Sequence, residues 1–106
     1  MLKRVKRRYL ALEIERGEGL GSREFLDAVW GAVTRLYGEY GASKTGLTLI
    51  DYDVERGFGV VRVLLSAVPM VRASLASITS INGKPVAVHV VTISGTLKAL
   101  HKSLKN

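Results

Sequence analysis

Residues 47–65 read LTLIDYDVERGFGVVRVLL. Two runs rich in valine, isoleucine, leucine and aromatic side chains, Leu47–Asp53 and Phe58–Leu65, are separated by Val54–Gly57, a segment short enough to turn the chain straight back. Such side chains suit a pleated, half-buried surface, so the stretch is predicted to be a β-hairpin. Asp51 and Asp53 stand two residues apart, a spacing that projects both carboxylates from one strand face, where a hard cation binds. Aspartates also favour the flanks of tight turns, and the turn accounts for both here.

Upstream of the hairpin, Phe25, Val29, Val33, Leu36 and Tyr40 recur at helical spacing, flanked by Leu26, Trp30 and Tyr37. They predict a long helix over Arg23–Tyr40 with a broad buried face, capped by Ser22 and stopped by Gly41. Ahead of it lies a loop with Gly17, Gly19 and Gly21. Before that loop, Leu10, Leu12 and Ile14 alternate with Tyr9, Ala11 and Glu13, the period of a half-buried strand over Arg8–Ile14. Downstream, Pro69 opens a second helix with Val71, Leu75 and Ile78 as its inner stripe, and Asn82-Gly83 is expected to end it. Valine-rich Pro85–Ile93 is the fourth strand. Ser94-Gly95-Thr96 opens a last helix on which Leu97, Leu100 and Leu104 share a face. The order β-α-β-β-α-β plus a C-terminal helix implies an α+β fold, a four-stranded antiparallel sheet with two helices on one face. This is the ferredoxin-like arrangement that RNA recognition motifs also use. Residues 1–106 read as one domain, with 1–7 expected as a mobile basic tail.

The chain has 106 residues, 47% of them hydrophobic, enough for one modest core. No apolar run approaches the ~20 residues of a membrane span, and the basic N-terminus lacks the uncharged stretch of a signal peptide. Absence of cysteine excludes disulfides, thiolate zinc sites and a cysteine nucleophile. Glutamine is absent too, as fits a thermophile, and a cytoplasmic setting is expected. The formal charge of +7 is unevenly spread. Residues 1–8 carry five bases and no acid, residues 9–55 hold all nine acids against four bases, and residues 56–106 hold seven bases and no acid. A generic solvated surface mixes signs, so two basic blocks around an acidic one point to a polyanion, nucleic acid ahead of membrane.

No catalytic set accompanies that charge. His89 and His101 lack an acid or hydroxyl partner at a recognisable spacing, His89 reads as a packed or edge residue, and no triad, phosphate loop or metal-ligand pattern is present. No catalytic residue, metal ligand or cofactor of the protein's own is expected. Arg56-Gly57-Phe58-Gly59-Val60-Val61-Arg62-Val63 overlays the main signature of RNA recognition motifs, but Val60 and Val63 replace its second and third aromatics. Those modules hold RNA by stacking bases on exposed rings, and Phe58 with Tyr9 makes a poor platform. The last helix is instead expected to cover that face, meeting Ala11, Phe58, Val60 and Leu64. Ser94-Gly95-Thr96 joins two hydroxyls and a glycine to a helix N-terminus, an arrangement suited to a phosphate, with Lys98 one turn on; a simple N-cap explains it equally well.

Several segments together resemble archaeal ribonuclease P protein component 2. They are Arg8-Tyr9-Leu10, Ala28-Val29-Trp30, the run from Leu36 to Lys44, Ile81-Asn82-Gly83-Lys84 and the run from Ser94 to Leu100, and the likeness spans roughly residues 5–104 in order and spacing. The resemblance implies a non-catalytic subunit of a ribonucleoprotein whose RNA, with Mg²⁺, removes the 5′ leader of precursor tRNA. It also implies pairing with protein component 3 and association of two such pairs. Candidate RNA contacts are Lys3, Arg4, Lys6, Arg7, Arg8, Lys44, Ser94, Gly95, Thr96 and Lys98; whether Lys44 and Ser94-Gly95-Thr96 make one site stays open. Candidate protein contacts are Phe58, Val60, Leu64, Leu97, Leu100 and Leu104, and the acidic Glu13, Glu15, Glu18, Glu24 and Asp27 are assigned to solvent or a basic protein patch. The alternative is a stand-alone or ribosome-associated module that binds single-stranded RNA through Tyr9 and Phe58. A small-ligand regulatory domain is disfavoured by the charge.

Overall fold

The computed structural model describes residues 5–105. Its elements are β1 (Arg7–Glu15), α1 (Ser22–Ser43), β2 (Thr48–Asp53), β3 (Phe58–Leu64), a 3₁₀ turn (Leu65–Ala67), α2 (Val68–Ala76), β4 (Ser80–Ile81), β5 (Lys84–Pro85), β6 (Ala87–Ser94) and α3 (Leu97–Leu104). The four long strands form one antiparallel sheet in the order β2-β3-β1-β6, the ferredoxin-like order. Alternation gives that sheet two different faces. Leu10, Leu12 and Ile14 from β1, with Val61 and Val63 from β3, pack against Phe25, Val29 and Val33 of α1 and Val71 and Leu75 of α2. The other face turns Ala11 and Val60 toward Leu100 of α3, with Tyr9, Ile50, Phe58, Leu97 and Leu104 partly buried around them.

The hairpin turn is built as its aspartate suggests. Asp53 Oδ1 accepts from the backbone N–H groups of Glu55 (3.0 Å) and Arg56 (3.1 Å), and Gly57 closes the turn at φ +65°. A Cβ at Gly57 would lie 3.0 Å from the Ile14 carbonyl oxygen, so the approach of β1 also requires glycine. Tyr52 stacks on Phe25 with ring centroids 5.5 Å apart and donates its hydroxyl to the Leu20 carbonyl at 2.8 Å. Burial, with a smaller contribution from the Glu24 charge, raises the Tyr52 pKa above its ordinary 10.0.

Several expectations need correction. The long helix is not continuous: Gly38 adopts φ 75°, ψ 174° and breaks it, and the buried residues are Phe25, Val29, Ala32 and Val33 before the break and Ala42 after it. Leu36 (47% exposed), Tyr37 and Tyr40 face outward instead of joining the core. The N-cap is Gly21 rather than Ser22, and Glu24 Oε1 reaches back to accept from the Gly21 N–H at 3.3 Å. Asn82-Gly83 does not end a helix. Both residues have positive φ (52° and 80°) and turn the small β4–β5 ribbon, while α2 has already stopped at Ala76. Pro85 belongs to that ribbon, and the fourth strand of the main sheet runs over Ala87–Ser94. Leu64 does not meet α3. It is the last residue of β3 and packs beside the main core, in the space that Gly46 leaves by lacking a Cβ. β1 takes in Arg7 and Arg8, paired with Leu64 and Val63, and the Lys6 carbonyl accepts from Leu65 N–H at 2.8 Å. Arg7 thus belongs to the sheet rather than to the expected tail, Arg8 lies in the strand as expected, and Lys6 is tied to Leu65 through its carbonyl; Lys3 and Arg4 lie outside the described residues.

Candidate nucleic-acid interface

Antiparallel pairing places the starts of β1 and β2 at the same end of the sheet as the finishes of β3 and β6. One cross-strand row there runs Thr48–Arg62–Tyr9–Ser94. Four segments distant in sequence therefore converge: Lys6, Arg7 and Arg8 at the entry to β1, Lys44 in the loop feeding β2, Arg62 near the end of β3, and Ser94-Gly95-Thr96 with Lys98 beyond β6. Glu13, Glu15, Asp53 and Glu55 lie toward the opposite end, beside Arg16 and Arg56. The charge asymmetry of the sequence becomes an asymmetry along the strands.

The turn after β6 touches the entry to β1. A Cβ on Gly95 would lie 3.6 Å from Arg8 Nη1 and 3.9 Å from its Cζ, so the guanidinium passes directly over the glycine, while Nη1 donates to the Arg7 carbonyl at 2.9 Å. Thr96 is the N-cap of α3, its hydroxyl accepting from Ala99 N–H at 3.1 Å. Gly95, Thr96 and Lys98 are exposed and Ser94 half-buried, which leaves an open, cationic turn between Arg8 and Lys98. Lys44 is also exposed, its Nζ 4.9 Å from the centroid of the Tyr40 ring. Three strand spacings, about 14 Å, separate Thr48 from Ser94, so their loops flank one end from opposite edges. Lys44 and Ser94-Gly95-Thr96 are two patches of one surface rather than one pocket.

Sequence reasoning missed Arg62. Its side chain is half-buried on the α3 side of the sheet, and Nε is buried with no hydrogen-bond acceptor among the described residues. The signal was available, since a basic residue two places beyond Val60 shares its strand face. The proposed protein contacts fare unevenly. Val60 (2% exposed) and Leu100 (0%) are consumed by packing within the chain, and Phe58, Leu97 and Leu104 are partly covered in the same cluster. Of the two readings of His89, the edge one holds: it is exposed on the edge strand β6, and its Nε2 lies 3.2 Å from Glu15 Oε1 on the neighbouring strand. Glu24 is tied to Gly21 N–H and to the Asn82 side chain, whereas Glu13, Glu18 and Asp27 are exposed. Among the described residues no group of three or more histidine, aspartate or glutamate side chains is placed to hold a metal ion, and no helix is long and apolar enough to cross a membrane.

The chain is similar to known proteins in sequence and in fold. Ribonuclease P protein component 2 of Methanosarcina mazei is 34% identical over 95 residues, covering 90% of this chain and 80% of that protein. The protein of the same name from Pyrococcus furiosus is 32% identical over 99 residues, covering 93% of this chain and 82% of its own. A chain in the cryo-EM structure of yeast ribonuclease MRP superposes with a TM-score of 0.74 at 15% identity, covering 99% of this chain and 93% of that one, which establishes likeness of fold. The sequence pattern of the Rpp14/Pop5 family matches residues 8–105, nearly the whole length described, and the chain belongs to that family.

Proposed function

We propose that the chain is a protein subunit of ribonuclease P, without catalytic groups of its own, that assists the catalytic RNA in removing the 5′ leader from precursor tRNA. The observation that carries this is the match along most of the chain to relatives named ribonuclease P protein component 2. The basic end of the sheet supplies the mechanism. Folded RNA crowds phosphates together, and cations held by a rigid scaffold lower that repulsion without the entropy loss of condensing free ions. Arg8, Lys44 and Lys98 are so held, by β1, by the loop into β2 and by the first turn of α3. In this proposal Mg²⁺ resides on the RNA and performs the hydrolytic chemistry there. Protein component 3 is the proposed protein partner, with the exposed carboxylates Glu13, Glu18 and Asp27 available to a basic surface, and two such pairs are proposed to associate. The cytoplasm is the proposed setting.

Reconstitution tests the assignment. The protein, with and without component 3, is added to the catalytic RNA at limiting Mg²⁺, and precursor tRNA cleavage is followed. The parent should support cleavage, whereas Lys44→Ala and Lys98→Ala should each lower it at low Mg²⁺ and recover at high Mg²⁺. No stimulation by the parent under any condition refutes the assignment. Variants equal to the parent at every Mg²⁺ concentration place the RNA surface elsewhere. The stand-alone alternative requires Tyr9 and Phe58 as stacking rings, and both are partly covered in the cluster beneath α3.

A further inference from the structure

With the open face of the sheet covered, the most exposed large hydrophobic side chain among the described residues is Tyr40, at 77%. Its position is not an accident of a loose loop. Gly38 breaks α1 and re-aims the last turn, and that turn is then pinned from several sides. The Ser43 hydroxyl donates to the Tyr40 carbonyl at 2.6 Å, and Lys44 N–H donates to the Gly41 carbonyl at 3.0 Å. Ala42, only 6% exposed, anchors the turn in the main core. Thr45, wholly buried, donates its hydroxyl to the Ala42 carbonyl at 2.9 Å and accepts from Leu47 N–H at 3.2 Å. A large ring is therefore presented to solvent on a rigid support. That arrangement loses the stabilisation its burial would bring, and the ring is in contact with the Lys44 ammonium.

Its surroundings suggest an occupant. Lys44 places its ammonium 4.9 Å from the ring centroid, which leaves the opposite face of the ring open. The same segment joins the basic end of the sheet through Leu64 N–H, which donates to the Thr45 carbonyl (2.9 Å), and the next residue, Leu65, donates its N–H to the Lys6 carbonyl (2.8 Å). Lys44 and Lys6 thus approach from either side of Leu64–Leu65, and Glu39 is the one carboxylate carried by the re-aimed turn. A flat ring beside an exposed cation, on the rim of a cationic surface, has the chemistry of a nucleotide site: the ring takes the base, the ammonium takes the adjoining phosphate. Leu36, Tyr37 and Leu65 are partly exposed nearby and would also suit an apolar protein surface, but such a surface gains nothing from the Lys44 ammonium beside Tyr40.

We propose that Tyr40 stacks an unpaired RNA base while Lys44 neutralises the neighbouring phosphate, so that this protein holds single-stranded RNA at the end of its first helix. The proposal rests on the RNA-binding reading above and adds to it a preference for unpaired over duplex RNA. The test uses the full chain and fluorescence anisotropy with a short unstructured RNA oligonucleotide, free or annealed to its complement, over a range of salt. Tyr40→Leu should bind the single strand roughly 5- to 100-fold more weakly, with an unchanged salt slope and unchanged duplex binding. Tyr40→Phe should match the parent, and Lys44→Gln should reduce the salt slope by about 0.7. Thermal melting should show all three variants folded, since both side chains are exposed. Single-strand binding by Tyr40→Leu equal to the parent's overturns the proposal while leaving the RNA reading standing. Unchanged RNA binding together with lost self-association in sedimentation assigns the patch to a second protein copy instead. Failure of the parent to bind either RNA overturns both.

Discussion

At the scale of single residues, most side chains with unusual surroundings are structural. Asp53 serves the hairpin turn, Glu24 links the start of α1 to the β4–β5 turn through Asn82, and Thr96 caps α3. Tyr52 belongs with them and has a measurable signature. Its pKa is raised in the folded state, first by desolvation and then by the Glu24 charge. A raised value means that folding favours the neutral phenol. The stabilisation is complete below the unfolded value of about 10 and is lost as pH rises through the folded one. Unfolding followed by denaturant between pH 8 and 11 should show a decline above about pH 10, and Tyr52→Phe should flatten that decline. An identical decline in the variant assigns it to other groups. Gly95 shows how a residue reading changes in three dimensions. Its Cβ position sits at ordinary contact distance from Arg8, so Gly95→Ala leaves the fold intact, and any loss of RNA binding reports the close approach of a phosphate.

At the scale of elements, α3 departs from the plain ferredoxin-like plan. It is amphipathic, and its apolar side is spent within the chain: Leu100 is wholly buried with Ala11 and Val60. Leu100→Ala is expected to cost about 2–5 kcal/mol, the range for emptying a well-packed leucine site, read by chemical denaturation. Deleting residues 96–106 should expose that cluster and cause aggregation at concentrations where the parent stays monodisperse in light scattering. A truncated chain as soluble and stable as the parent shows that α3 does not shield the sheet. The same element partly covers Phe58 and Tyr9, the rings a stacking platform would need, despite the likeness of Arg56–Val63 to an RNA recognition signature. Similarity in the strand carries the fold; what covers the strand decides the binding mode.

At the scale of the whole molecule, charge is the organising feature. Exposed cations far apart in sequence collect at one end of the sheet, where their fields add over a polyanion. Replacing Lys3, Arg4, Lys6, Arg7 and Arg8 together by alanine should weaken RNA binding and lower its salt slope by about 0.7–0.9 for each phosphate no longer neutralised. Thermal stability should hardly move, because Lys6 and Arg7 are exposed and Arg8 only half-buried, and their strand pairing is made by backbone groups. An unchanged slope removes this segment from the RNA surface.

The order of the four main-sheet strands and the three helices, the α+β class, the buried stripes of β1 and of the first half of α1, and the carboxylate-free basic half were all legible in the amino-acid sequence. Each follows from spacing along the chain, and periodicity reports which side of an element is apolar whatever lies across from it. The helix break at Gly38 was not legible, because the apolar spacing from Phe25 to Tyr40 continues through it and a glycine's backbone choice leaves no mark in the pattern. Nor was the use of Asn82-Gly83, which suits a helix end and a two-residue ribbon turn equally. The candidate surface itself was decided by tertiary structure. Arg8 meets Gly95, and Lys44 approaches Lys6, only because antiparallel pairing in the order β2-β3-β1-β6 brings the starts of two strands to the finishes of two others. Sequence separation sets no distance between such groups; strand order does.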